Sequence, residues 1–336
     1  MQKMTLSLAA VAGATVAAAF ASVPASAQTK WDLSAMTGAT HPITLHYKSF
    51  SDEVKKRTEG KLDIVVRPAG ELPFKATEIV KATGDGNVQL GQAYQGFISG
   101  SIPLASIASL PFLVRSADEL TKVYPIIEKY TKPEFEKNGV KVLYWFTWPE
   151  QNVWGKGKPI KTVEDFAGRK IRTTDGKQSE MMKRLGGNAV TLTTAEVPVA
   201  MERGVADGFY TAAFNVIGSK WYEFVQWGWL GQVHIGGPDY LIMNIAAYNK
   251  LDPKLREQLD AVAKEWGPKT SAANLAEEQT AIEALKTKHK VEMVTPDAAQ
   301  IKAITDKMKE YWESWAKQQG PNGETMLKEI RAALGR

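Results

Sequence analysis

Residues 158–215 read KPIKTVEDFAGRKIRTTDGKQSEMMKRLGGNAVTLTTAEVPVAMERGVADGFYTAAFN, and this stretch decides the fold. Thr162 followed three residues later by Asp165 is a loose capping-box signal for a short helix, and Gly168 stands where it would end that helix before a strand over 169–172. A helix over 176–185 then stops at Gly186. A strand over 189–193 leads to a helix over 194–203, Gly204 ends it, and 206–211 reads as another strand. Such strict alternation describes βα units whose helix starts gather at one edge of a parallel sheet. Arg172 falls where one of these strands opens directly into a helix.

The same alternation appears upstream. Strands are predicted over 31–37, 62–67 and 87–94, with helices over 42–58 and 74–83 between them. Ile43, Tyr47, Phe50 and Val54 recur at helical spacing in the first helix, and Gly60 ends it. This βαβαβ order argues for a second parallel sheet covered by helices. Between the two blocks, 140–146 reads as a buried strand leading into Trp148-Pro149, and 240–247 is a further strand candidate. From Pro253 to about His289 the only internal stop is Gly267-Pro268, so one long helix or two abutting ones are expected. A short strand over 291–294 and helices over 296–317 and 324–333 complete the reading. Length favours two lobes over one.

The N-terminus carries Lys3, an apolar run over 6–23 and then Ala25-Ser26-Ala27. That is the pattern of a secretory signal peptide cleaved after Ala27, which implies export; small alanines and Pro24 argue against a retained anchor. The formal charge of +5 falls to +4 without this segment, because it holds one Lys and no acid. Basic and acidic residues alternate along the helices as on solvated faces, with no stripe of cations and aromatics that would suit nucleic acid. The chain has no cysteine, which excludes disulfides and thiolate chemistry. His41, His46, His234 and His289 lack paired metal-ligand spacing, so no metal or other cofactor is expected. Gly84-x-Gly86 and Gly155-x-Gly157 lack the third glycine of a nucleotide loop, and no nucleophile stands with a base, so enzymatic turnover has no support.

The 158–215 stretch resembles the periplasmic solute-binding proteins of tripartite ATP-independent periplasmic (TRAP) transporters, the DctP-type family. The resemblance rests on Lys158, Pro159 and Ile160; on Glu164, Asp165, Phe166, Gly168, Lys170, Ile171 and Arg172; on Ala195, Glu196 and Val197; and on Gly204, Asp207 and Gly208. The segments 50–72 and 108–120, with its Leu-Pro-Phe-Leu loop, look like further landmarks, so most of the mature chain is covered. The resemblance implies a two-lobe α/β fold of the periplasmic-binding-protein kind, with a central sheet in each lobe and a long helix spanning both. The expected division is 28–148 with 236–275 for lobe I, and 149–235 with 276–336 for lobe II. It further implies a periplasmic protein that passes a small organic acid to a small and a large membrane subunit; a monomer is expected.

In the resembled family, the arginine at the position of Arg172 forms a salt bridge to the substrate carboxylate. A guanidinium suits that role because its parallel N–H donors match both carboxylate oxygens. Strand alternation alone does not choose, since it puts Lys170 on the same face. Many members carry a second arginine 20 residues upstream, where this chain has Asn152. An amide supplies no charge, so an aromatic or apolar monocarboxylate is expected over a C4-dicarboxylate or sugar acid. Trp148, Phe209 and Tyr210 are expected to face the cleft, with Tyr94 and Asn215 as further candidates, against the alternative that these rings fill the core. Glu196 and Asp207 are read as structural acids at a helix start and a turn. The rival readings are the same fold serving another transporter or a sensor, and a periplasmic enzyme acting on a carboxylic acid.

Overall fold

The computed structural model describes residues 28–336, so the expected signal peptide lies outside the described residues. The first half of the molecule contains β1 (Thr29–Ser34), α1 (Pro42–Arg57), β2 (Leu62–Arg67), α2 (Ile79–Gly84), β3 (Leu90–Tyr94), α3 (Ala117–Lys137) and β4 (Val140–Gly155). Then come β5 (Lys170–Thr173), α4 (Gly176–Arg184), β6 (Asn188–Thr191), α5 (Val197–Glu202), β7 (Gly208–Thr211) and α6 (Ala213–Gly218). The chain ends with β8 (Trp227–Asn244), α7 (Ile245–Lys250), α8 (Pro253–Thr287), β9 (Glu292–Val294), α9 (Ala298–Gln318) and α10 (Gly320–Leu334).

The strands lie in the order β2-β1-β3-β8-β4-β7-β5-β6, with β9 beside β8. β2, β1 and β3 run parallel, as do β7, β5 and β6. Two long antiparallel strands join these groups, β4 with 16 residues and β8 with 18. β3 pairs with one end of β8, from Leu90↔Met243 to Tyr94↔Asp239, whereas β7 pairs with the opposite end of β4, from Asn152↔Thr211 to Gly155↔Gly208. Each lobe therefore has its own parallel sheet, and the two shared strands make the sheets one hydrogen-bonded path. Register shifts between Phe146 and Val153 mark where β4 crosses, and such bulges bend and twist a strand.

α8 ties the halves together from outside the sheet. Asp252 caps it by accepting from the Lys254 N–H at 2.9 Å, Pro253 occupies the first turn, and the helix continues for 35 residues through Pro268. Leu259, Val262 and Trp266 pack into the core beneath β1, α1 and β2. Gly267 then lies so close to β4 that a Cβ there would stand 2.5 Å from the Trp145 carbonyl oxygen, which explains a glycine in mid-helix. Ser271 Oγ accepts from the Thr147 N–H and Asn274 donates to the Thr147 carbonyl, both at 3.0 Å, at the crossing itself. Ala281 and Leu285 join the other core, with Trp154, Val197 and Phe209.

Several elements depart from the expected ones: β4 runs past 146 to Gly155, α6 and α7 are additional, and α7 takes residues 245–247 of the strand expected over 240–247. The helix expected over 74–83 is a tight turn over 76–78 followed by the single-turn-and-a-half α2. β8 begins at Trp227, well before the expected 240, because its Gly-rich start is stabilised by pairing with β4 and β9 rather than by its own pattern. α3 was not among the expected elements: it holds Pro125 and Pro133, yet Ser116 caps it at 3.2 Å and Leu120, Val123, Ile127 and Phe135 bury one face. The C-terminal helices bridge outward elements, with Lys129 of α3 bonded to Glu329 of α10 at 2.9 Å and Trp312 of α9 donating to the Pro111 carbonyl at 2.9 Å.

Candidate functional site

The ends of β3, β5 and β7 and the crossing of β4 converge on a narrow cavity between the lobes. Five of the residues singled out in the sequence line it: Tyr94, Trp148, Arg172, Tyr210 and Asn215. Among the described residues Arg172 is the only charged one in the lining, which also includes Met36, Phe97, Gln151, Thr174, Thr194 and Thr211. This is the crevice outside the carboxyl ends of strands where open α/β sheets place ligands.

Arg172 is 2% exposed. Its Nε donates to the Leu192 carbonyl at 2.9 Å and Nη1 to the Tyr210 carbonyl at 3.4 Å, while Nη2 has no hydrogen-bond partner among the described residues. Burial pushes the guanidinium down to about 10, partly offset by Tyr94, Glu196 and Asp175, so it stays protonated at neutral pH. The Tyr94 and Thr174 hydroxyls are likewise buried without a partner among the described residues. Buried polar groups are ordinarily hydrogen-bonded, and a buried charge ordinarily has a counter-charge. Three exceptions meet in one cavity.

Two of the expected site residues point elsewhere. Asn152 does not line the cavity: its Oδ1 accepts from the Gln232 N–H at 2.9 Å and its Nδ2 donates to the Glu150 carbonyl at 3.3 Å, so it ties β4 to β8. The register shift between Gln151 and Val153 puts Gln151 in the lining instead. Phe209 faces the core behind β7, where it is fully buried edge-on to Trp221 at 4.8 Å. Strand alternation sends its neighbour Tyr210 to the cavity side, although the Tyr210 hydroxyl itself turns to the Met182 sulfur at 3.0 Å. Thr174 went unread in the sequence. It shares the parity of Arg172 two residues on, and it lies one residue before Asp175, which caps α4 through the Lys177 and Gln178 N–H groups. Asp175 also accepts from Ser109 at 2.9 Å, and Lys177 donates to Ser106 at 2.9 Å, so a buried network from the 103–109 turn supports this strand end.

The opposite wall is aromatic. Trp148 lies 6.3 Å from Tyr94, 5.7 Å from Phe214 and 5.8 Å from His41, measured between ring centroids. Its indole N–H donates to Asp239 at 2.6 Å, and Gln92 donates to the same carboxyl at 2.7 Å. Burial raises the Asp239 carboxyl to about 7 against the lowering effect of these bonds. His41 caps α1 by accepting from the Ile43 N–H at Nδ1, which leaves the proton on Nε2 to donate to Asn215 Oδ1 at 3.0 Å. Asn215 in turn donates to Thr211 at 2.9 Å. This chain links the start of α1 to α6 across the crevice. Burial drives the His41 imidazole down to about 4, so it is neutral at pH 7. Glu278 of α8 receives the Ala213 and Phe214 N–H groups at 2.9 and 2.8 Å and fixes the start of α6.

At the rim, Glu196 accepts from the Thr193 N–H and hydroxyl at 2.8 and 2.7 Å and from Lys75 at 3.0 Å. Those bonds, the Thr193 hydroxyl first, hold its carboxyl down at about 2. Asp207 meets the Lys170 N–H at 3.3 Å and Arg169 at 3.5 Å. Both acids thus have structural partners. Among the described residues no group of three or more His, Asp or Glu is arranged to hold a metal ion, and no helix is long and apolar enough to cross a membrane.

Comparison with known proteins places this architecture. The model of DctP, bacterial extracellular solute-binding protein family 7, matches residues 33–319. A solute-binding protein of Chromohalobacter salexigens is 27% identical over 67% of this chain and 68% of its own. The 2,3-diketo-L-gulonate-binding periplasmic protein YiaO of Escherichia coli is 24% identical over 88% of this chain and 89% of its own. Among solved structures, DctP7 of Bordetella pertussis, an extracytoplasmic solute receptor binding pyroglutamic acid, superposes with a TM-score of 0.84 at 25% identity, over 90% of this chain and 99% of that one.

Proposed function

The chain belongs to the DctP family of bacterial extracellular solute-binding proteins, and from that premise we propose that it captures a small monocarboxylic acid between its lobes and hands it to a TRAP membrane permease. The family is one of periplasmic receptors for organic acids, not of enzymes. One observation carries the finer reading: among the described residues Arg172 is the sole charge lining the cavity, and its Nη2 and the Tyr94 and Thr174 hydroxyls of the same lining are all buried without partners. A carboxylate at that point gains a charge-assisted bond from Arg172 and two hydroxyl donors.

The same lining favours one carboxylate over two. Gln151, which stands where Asn152 was expected, is also uncharged, so a second anionic group would meet no cation in this cavity. Pyroglutamic acid and 2,3-diketo-L-gulonate, the ligands named for two relatives, each carry a single carboxylate. Trp148, Tyr94 and Phe97 give the remaining wall an aromatic character that suits a ring or an apolar body. The proposed lobes are 28–148 with 236–275 and 149–235 with 276–336, closing about strand crossings near 148 and 235. The chain acts as an exported monomer, and its partners are the small and large permease subunits.

The test is titration calorimetry of the purified protein with Arg172→Ala. Removing one partner of a buried ion pair costs about 3–5 kcal/mol, so affinity should fall roughly a hundred- to several thousand-fold. Unchanged affinity would remove the anchor from the reading, and turnover of the bound acid would favour an enzyme.

A further inference from the structure

A second and larger chamber opens directly outside the Arg172 cavity. Met36 and Thr194 line both spaces. Its inner wall comes from the ends of β1 and β2 and from the 72–79 segment, and the 193–196 turn of the other half closes over it. The wall is apolar: Ala35, Ala69, Leu72, Phe74 and Ile79 supply hydrocarbon surface.

Four of the polar side chains around this chamber, Gln92, Thr193, Glu196 and Lys75, already have partners. Gln92 accepts from the Met36 N–H at 3.0 Å and donates to Asp239 at 2.7 Å. Thr193 donates to Glu196, and Glu196 pairs with Lys75. A hydroxylated ligand body would have to break these bonds or leave its own hydroxyls unpaired, which costs more than an apolar body gains by matching the wall. The throat is also suited to an apolar body, because Met is unbranched and adjusts its shape to what it touches.

We infer that the outer chamber is the specificity subsite for an apolar tail, and that the ligand is an amphipathic acid with its carboxylate on Arg172 and its aryl or alkyl body passing Met36 and Thr194. This rests on the carboxylate reading of the inner cavity and extends it, since a compact acid such as benzoate has no tail to pass Met36 and Thr194. Sugar acids are rejected by the same wall. Shared lining residues make the two spaces one path, so the occupant of the second is the remainder of the molecule held in the first.

Calorimetry of the mature protein with benzoate, phenylacetate, 3-phenylpropionate, 4-phenylbutyrate and 5-phenylvalerate tests the inference. Affinity should rise about fourfold per added methylene, the change that corresponds to roughly 0.8 kcal/mol of burial. Ala76→Trp and Ala69→Trp, which fill the chamber from two different segments, should flatten that rise while benzoate binding persists, which also shows that the variants fold. A flat series in the natural protein with benzoate still bound overturns the tail subsite and leaves the carboxylate reading standing. An α,ω-dicarboxylate binding more tightly than the monoacid of equal length also overturns it, because Lys75 would then be receiving a second anion. Binding of none of these acids overturns both readings.

Discussion

The two walls of the inner cavity are built from different chemistry. The side contributed by β5, β7 and the following turns presents Arg172, Thr174, Thr194, Thr211 and Asn215, while the side from β1, β3 and the β4 crossing presents Met36, Tyr94, Phe97 and Trp148. One wall can hold an anion and the other can hold a ring. Neither is a complete site alone, so a pocket with both affinity and selectivity needs the two walls together.

Breaking the aromatic wall should give the largest change in stability. Trp148→Ala removes a ring that is 4% exposed and leaves Asp239 without its indole donor. Denaturant titration should show a loss of about 3–5 kcal/mol. A loss under about 1 kcal/mol would mean the ring is not the keystone described here.

Trimming the hydroxyls sharpens the contrast. Tyr94→Phe and Thr174→Val each remove one unpartnered hydroxyl, so the ligand-free protein should keep its stability. Binding of the acid should still weaken roughly ten- to a hundredfold, as for a lost hydrogen bond to a charged group. Lost stability with intact binding would assign both hydroxyls to the scaffold instead.

The smallest effect at neutral pH belongs to the bridge between the walls. His41 titrates near 4 in the folded chain against 6.5 when exposed, because burial disfavours its charged form. A group whose folded value is depressed contributes its stability above the unfolded value and loses it as pH falls through the folded one. His41→Gln should therefore match the natural protein at pH 7 and destabilise less steeply between pH 6.5 and 4 in thermal melts. Asp239 and Glu278, raised to about 7 by burial, lean the other way and are common to both proteins. Parallel melting curves across that range would contradict the buried neutral bridge.

Much of this was legible because glycines punctuate the chain where the backbone turns left-handed: Gly168, Gly186 and Gly204 all have positive φ, and each ends an element read from the sequence. The Arg172 strand and its helix followed from that punctuation. α3 had no assignment from the sequence; it contains Pro125 and Pro133 and is held by burial of its apolar face. Asn152 was misplaced for another reason. Asn152 was named by a 20-residue spacing from Arg172, and in the bulged crossing of β4 it is the amide next door, Gln151, that lines the cavity. Thr174 carries no motif of its own, and its role emerges only when Tyr94, from the other half, is brought beside it.

The most direct test is a thermal-shift screen of the mature protein against mono- and dicarboxylates, aromatic and aliphatic, where a ligand at a hundred times its dissociation constant adds about 2.7 kcal/mol of stability. A single buried cation facing an aromatic wall predicts shifts with monocarboxylates, strongest for those bearing a ring. Shifts confined to dicarboxylates would contradict it, because a second cation would then have to face the ligand.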